Sequence, residues 1–178
     1  MALGPLVVPV VRLRRSTGST MRERHRAPLD PDALAPATAA DSAVPDGAEA
    51  DCDFVLESFD GGVMVTGTVD VPWVGVCRRC TAPAGGVLRI SLKERYCDPA
   101  PRGEPEDEEA YPITDEAVDL GPMVHEAILG ELPLAPLCRE DCAGLCPNCG
   151  IDRNEEHCDC VAPPDPRWAS LDVLRSTS

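Results

Sequence analysis

Hydrophobic and polar positions alternate most regularly between Asp53 and Tyr96, and that period of two predicts strands. Phe54, Leu56 and Ser58 alternate with Val55 and Glu57, and Asp60-Gly61-Gly62 supplies the residues of a tight turn. Beyond it Val63, Val65, Gly67, Val69 and Val71 share one face, with Met64, Thr66, Thr68 and Asp70 on the other. The two runs read as a β-hairpin. A short strand at Trp73 to Val76 and a longer one at Val87 to Tyr96 follow; in the latter Leu88, Ile90 and Leu92 oppose Arg89, Ser91 and Lys93. An antiparallel sheet of about four or five strands results, with edges that need covering.

The period then lengthens. Leu120, Met123, Val124, Ala127 and Ile128 form an apolar stripe at helical spacing, the core face of a helix packed on the sheet. Asp119 can cap this helix, Pro122 fits its first turn, and Pro133 stops it. A last short helix is expected at Pro166 to Leu174, with Trp168, Leu171 and Leu174 on one side. Residues 27–50, rich in Ala, Pro and Asp, read as a solvated linker, and residues 98–110 as an acidic, proline-punctuated loop. The expected fold is α+β: an antiparallel sheet or partial barrel with one or two packed helices and a metal-stapled C-terminal segment. It divides into residues 1–50 (strand, basic arm, loop), 51–133 (sheet, acidic loop, helix) and 134–178 (cysteine-rich segment and short helix).

Charge changes the picture of partners. Sixteen basic and thirty-one acidic residues give a net charge of −15 in 178 residues. The first 26 residues carry a local +5 through Arg12, Arg14, Arg15, Arg22, Arg24 and Arg26 against Glu23, so the remainder carries −20. Such a field argues against the whole surface holding nucleic acid, which needs Lys and Arg to neutralise phosphate, and suits basic protein partners. The six arginines are the candidate RNA or phosphate contact. Only Trp73, Trp168, Tyr96, Tyr111, Phe54 and Phe59 are aromatic, so the core must be mostly aliphatic. An export signal places positive charge ahead of its apolar run, whereas here Leu6 to Val11 precedes the arginines. No run approaches the ~20 apolar residues of a membrane span, so a cytoplasmic protein without membrane contact is expected.

In that compartment ten cysteines mean metal or redox chemistry before disulfides. Cys146-Pro-Asn-Cys149-Gly150 lets two sulfurs face one ion while Gly150 permits a tight exit, and Cys77-Arg-Arg-Cys80 can form another such knuckle. With Cys138, Cys142, Cys158 and Cys160 they make eight clustered thiols, enough for two Cys₄ sites and one or two structural zinc ions. The most economical partition joins Cys146 and Cys149 to Cys158 and Cys160, and Cys77 and Cys80 to Cys138 and Cys142. Spacing alone does not fix that pairing, and His157 is a spare ligand. Cys52 and Cys97 read as free, buried, small apolar residues.

Catalytic alternatives fit less well. A thioredoxin-like pair needs a helix N-terminus in a βαβ setting, and a catalytic zinc needs an open position beside a general base. His25, His125 and His157 form no HExxH-like pairing, and the sequence has no phosphate-binding glycine loop or Gly-x-Ser-x-Gly elbow. No enzyme activity and no small-molecule substrate are expected.

The stretches Gly61-Gly-Val-Met-Val-Thr-Gly-Thr-Val69, Gly75-Val-Cys-Arg-Arg-Cys80 and Glu94-Arg-Tyr-Cys97 resemble the YceD-like family, the large ribosomal RNA subunit accumulation proteins. Leu132-Pro-Leu-Ala-Pro-Leu-Cys138, Asp141 through Gly150 and Asp165-Pro-Arg-Trp-Ala169 are similar to its longer, cysteine-rich bacterial branch. The resemblance covers residues 50–175 and implies a factor for synthesis, processing or stability of the 23S rRNA, with no catalytic residue. Combined with the acidic charge, it leads to a non-enzymatic assembly factor acting through a ribosomal protein or an rRNA-maturation factor. The competing expectation is a zinc-dependent nucleic-acid-binding regulator or RNA-processing enzyme.

Overall fold

A computed structural model of the chain describes residues 6–29, 41–99, 110–161 and Arg167. Its strands in chain order are β1 (Val7–Pro9), β2 (Thr20–Pro28), β3 (Ser42–Ala43), β4 (Glu49–Phe59), β5 (Gly62–Val76), β6 (Pro83–Cys97), β7 (Tyr111–Pro112) and β8 (Ala117–Asp119). One α-helix, α1 (Gly121–Glu131), follows them, and a 3₁₀ turn lies at Leu13–Arg15. The expected helix at Pro166 to Leu174, apart from Arg167, and most of the acidic loop lie outside the described residues, as do residues 30–40 of the expected linker.

The main sheet runs β2-β4-β5-β6-β7, with β3 added on β5 beyond the end of β4. All its pairs are antiparallel except β6 with β7. β1 and β8 form a separate two-stranded ribbon. The sheet is open, which corrects the expectation of a partial barrel: β2 and the two-residue β7 end its strand order as opposite edges, and closure would require them to pair.

The hairpin expected from alternation is present and longer than its pattern suggests. Val63, Val65, Val69 and Val71 are buried, and β5 continues through Trp73–Val76 without a break. Pro72 is tolerated because β5 lacks a partner there on one side: its pairing with β4 ends at Asp70 and that with β3 begins at Val74. Phe54, Leu56, Ile90, Tyr96, Met123, Val124 and Ile128 complete one continuous core reaching back to Leu6, Val8 and Val10. Asp119 does its capping from one residue before the helix N-cap, Leu120, by accepting the Gly121 N–H at 2.9 Å. Among the described residues no helix is long and apolar enough to cross a membrane.

Residues 20–28 are not an arm. β2 pairs with β4 over its whole length, and the exposed arginines of β2 alternate outward with Met21, Glu23, His25 and Ala27 turned the other way. This register sets Arg22, Arg24 and Arg26 beside the acids of β4.

Candidate metal centres

The β5–β6 hairpin ends in a knuckle. Cys77 leaves β5, its N–H donating to Ala82 O at 2.8 Å, and Thr81 N–H donates back to Cys77 O at 2.8 Å. The segment after α1 docks on that knuckle through backbone bonds: Arg78 N–H donates to Pro136 O at 2.9 Å and Leu145 N–H to Arg79 O at 2.9 Å. The Arg79 guanidinium adds a bond to Cys142 O at 2.8 Å. Cys77 and Cys80 are thereby brought to Cys138 and Cys142, with Sγ–Sγ distances of 3.7 Å for Cys77–Cys142 and 3.6 Å for Cys80–Cys138.

A second knuckle follows at once. Cys146 N–H donates to Ile151 O at 2.8 Å and Gly150 N–H to Cys146 O at 2.9 Å. Gly150 has φ +77°, the left-handed conformation this exit needs. The chain returns without regular structure through Cys158 to Cys160, which lets two cysteines one residue apart turn to the same side. Each of the two groups, Cys77/Cys80/Cys138/Cys142 and Cys146/Cys149/Cys158/Cys160, holds its sulfurs within 4.8 Å of one another. The two groups coincide with the partition that the spacing favours.

The geometry suits ions. Sulfurs about 2.3 Å from a tetrahedral zinc lie about 3.8 Å apart, close to the Sγ–Sγ separations above and far from a disulfide's ~2.05 Å. All ten cysteines are free. Burial raises the Cys77 thiol, but the Cys138, Cys80 and Arg79 amides aimed at it prevail and bring it down to about 6. The Cys149 and Asn148 amides bring Cys146 down to about 6. Cys138 and Cys160 are pushed up to about 12, chiefly by sharing hydrogen bonds with neighbouring cysteines. Crowded sulfurs that cannot all ionise together are what a cation relieves, since it binds thiolates and neutralises them. Either group could therefore hold a metal ion.

The other candidates are placed differently. His157 is exposed, lies 3.6 Å from Asp159 and belongs to neither group. Cys52 is buried beneath the sheet, its thiol pushed up to about 12 by burial, and Cys97 is half-buried. Arg22 makes a bidentate bond to Asp53 at 2.8 and 2.6 Å, and Arg24 reaches the same carboxylate at 3.1 Å. The Arg22 bond leads in holding Asp53 down to about 2. Arg26 lies 3.1 Å from Glu49 and 3.2 Å from Asp51, and Arg14 pairs with Asp98. Arg12 and Arg15 are exposed. The expected cationic patch is thus largely neutralised by its own sheet.

Asn154 is a residue the pattern does not single out. Its Nδ2 donates to Cys142 Sγ at 3.4 Å and to Asp152 Oδ1 at 2.6 Å, and its Oδ1 accepts the Ala143 N–H at 2.7 Å. It ties the return loop of the second group to a ligand of the first. The only signal for it is position, between Cys149 and Cys158.

An open, mostly antiparallel sheet bearing two four-thiol groups defines a small cysteine-rich protein whose clustered thiols all lie outside its strands and helix. Residues 65–175 match the family described as "Large ribosomal RNA subunit accumulation protein YceD", and the chain belongs to that family. Uncharacterized proteins of Mycobacterium tuberculosis and Mycobacterium bovis are each 38% identical over 169 residues, covering 94% of this chain and 80% of theirs. An uncharacterized protein of Mycobacterium leprae is 35% identical over 127 residues, 70% of this chain and 58% of its own. No solved structure matches the chain.

Proposed function

We propose that the chain is a non-enzymatic, cytoplasmic factor of ribosome biogenesis that supports synthesis, processing or stability of the 23S rRNA through protein partners. Each four-cysteine group holds one structural zinc ion. The family's description supports the large-subunit role. The observation that carries the non-catalytic reading is the make-up of the two groups. Among the described residues each consists of four cysteines with no histidine or carboxylate joined to them. Four thiolates fill a tetrahedral zinc, whereas a catalytic zinc keeps a position for water beside a base.

Charge supports protein partners over RNA. At −15, with Arg22, Arg24 and Arg26 already bound to acids, the N-terminal arginine run leaves phosphate chiefly Arg12 and Arg15. Capture of tagged protein from nuclease-treated lysate, followed by mass spectrometry, should return a ribosomal protein or an rRNA-maturation factor. Loss of the chain should lower 23S rRNA relative to 16S. The competing reading, an RNA-binding regulator or RNA-processing enzyme, predicts capture that vanishes with nuclease and an affinity that falls steeply with salt. It also predicts that changing Arg12, Arg14, Arg15, Arg22, Arg24 and Arg26 to Gln lowers the salt slope by roughly one unit per lost phosphate contact. On the proposal, that variant keeps its protein partner.

A further inference from the structure

On the side of the molecule where β7, β8 and the start of α1 meet lies a groove of about 460 Å³, away from both cysteine groups. Val7, Tyr96, Tyr111, Ala117 and Pro122 give it a mostly carbon wall. The two tyrosines stack with ring centroids 5.2 Å apart, and their hydroxyls are both engaged: Tyr96 donates to Asp119 O at 3.0 Å and Tyr111 to Glu126 Oε2 at 2.6 Å. Val7 is 51% exposed although its strand neighbours Leu6 and Val8 are buried.

The rim has one sign of charge. Asp115 and Asp119 line the groove and Glu126 stands on Tyr111, while among the described residues no Lys, Arg or His lines it. Among the described residues none of these three carboxylates has an ion-pair partner, unlike the acids of the main sheet's outer face, where Asp53, Asp51 and Asp70 are matched by arginines. The turn that carries Asp115 is strained. Asp115 and Glu116 have φ +51° and +59°, closed by the Thr114–Ala117 backbone pair at 3.1 and 3.0 Å. A two-residue turn of that kind favours Asn-Gly or Asp-Gly, so Glu at its second position is held there against preference.

We propose that this groove is the docking site for a lysine- or arginine-bearing segment of a basic protein partner. The inference rests on the reading of the chain as a factor that works through proteins, and it names the surface and the partner's chemistry. An arginine or lysine side chain matches both parts of the groove. Its methylene stem covers the carbon wall, and its charged head meets carboxylates that have no ion-pair partner among the described residues, beside an aromatic ring. Nucleic acid is excluded by the sign of the rim.

The test uses the full-length, metal-loaded protein and a fluorescein-labelled eight-residue oligoarginine, with its citrulline counterpart as control, at about 0.15 M salt, where unfocused surface attraction is largely screened. Anisotropy should show binding of the arginine peptide alone, and amide shifts should centre on Val7, Tyr111, Asp115 and Ala117. Asp115→Asn with Glu126→Gln should weaken binding at least tenfold; Asn suits a positive φ and Gln keeps an acceptor for Tyr111, so the fold is retained. Val7→Lys, which puts a cation in the groove from an exposed position, should weaken it comparably. Unchanged affinity in folded variants, shifts centred on another surface, or equal affinity for free spermidine would each overturn the docking site. If lysate capture yields a ribosomal protein whose retention ignores both variants, the groove is wrong and the function stands. If the peptide binds in the groove but loss of the chain leaves 23S rRNA unchanged, the function is wrong and the groove stands.

Discussion

Cys77, Cys80 and Cys142 have 0%, 6% and 2% of their surface exposed, whereas in the second group only Cys146 is buried. The first group draws its ligands from both sides of the helix, 58 and 65 residues apart across its closest sulfur pairs, and has its own small apolar lining in Ala82 and Leu137. The second lies entirely within residues 146–160. On the zinc proposal the same chemistry would do two jobs. An ion in the first group would close a long loop and fasten the C-terminal segment to a sheet that already has a core. One in the second would stand in for a core that the segment lacks.

The strongest way to break this comparison is to remove the metal altogether. Ligation in small zinc modules contributes roughly 10–16 kcal/mol linked to folding. The segment from Leu134 to Val161 has few buried side chains apart from its cysteines, and Leu134 and Val161 are 80% and 86% exposed. Chelation should release about two zinc equivalents and melt the described residues from 134 onward while β4, β5 and β6 stay protected from amide exchange. Function should be lost with that order. If the segment remained protected without metal while function vanished, a catalytic role for the ion would have to replace the structural one.

Next in size are single-ligand changes, which separate the groups. Cys77→Ser should leave one ion per chain and expose the Arg78 and Leu145 amides that join knuckle to segment. The stability loss should exceed about 3 kcal/mol, the range reached when a metal is lost from a buried site. Cys149→Ser should also leave one ion, but the Arg78 and Leu145 amides should keep their protection. Metal analysis together with amide exchange reads both outcomes, and identical exchange patterns would mean that the groups fold as one unit.

Much of this was legible before any coordinates, for reasons that differ along the chain. The buried face of β5 follows from a period of two, because one-residue slips would expose every valine at once. The four-by-four grouping of cysteines was the most economical partition, favoured by the short loop between Cys149 and Cys158, but spacing left the pairing open and only the fold brings the two sets together. The pairing of Arg22 with Asp53 could not be read in this way. It depends on the register between β2 and β4, which is set by tertiary contact across a connection whose composition carries no period. For the same reason a strand looked like a basic arm. The β1–β8 ribbon, with β8 only three residues long, also left no pattern to find. Trp73 to Val76 read as a separate short strand, and only the gap between β4 and β3 explains why β5 runs on through Pro72.

A finer contrast comes from two glycines with nearly the same backbone. Gly144 and Gly150 have φ +73° and +77°, so alanine at either costs about 1–2 kcal/mol for left-handed geometry. Around Gly150 a Cβ meets nothing within 4 Å, but at Gly144 it would lie 2.9 Å from Arg79 O and 3.1 Å from Arg79 Cβ. Gly144→Ala should therefore cost more than Gly150→Ala by about 1 kcal/mol or more, the excess coming from pushing the segment off the hairpin knuckle. Thermal melts of the metal-loaded variants should show that order, and equal costs would mean that the contact at Arg79 gives way freely.

A last effect tests a side chain that joins the two groups, Asn154. Asn154→Ala removes the Nδ2–H bond to Cys142 Sγ and the acceptor for Ala143 N–H, a loss of about 1 kcal/mol for each bond. Asn154→Asp keeps that acceptor, loses the donor to sulfur and sets a negative charge beside a thiolate. If Asn154 serves the first group's ion, the Asp variant should weaken that ion about tenfold or more, as loss of an outer hydrogen bond to a metal ligand does. Melting temperature should fall at least as far with Asp as with Ala, because the surviving backbone bond to Ala143 is offset by a carboxylate set against Asp152 Oδ1, which Asn154 Nδ2 meets at 2.6 Å. The second ion should be unaffected in either variant, since no sulfur of Cys146, Cys149, Cys158 or Cys160 is bonded to Asn154 among the described residues. Chelator competition resolves the two ions by affinity. A change confined to the second ion would show that Asn154 acts by holding its own return loop, and that the two groups are linked by backbone alone.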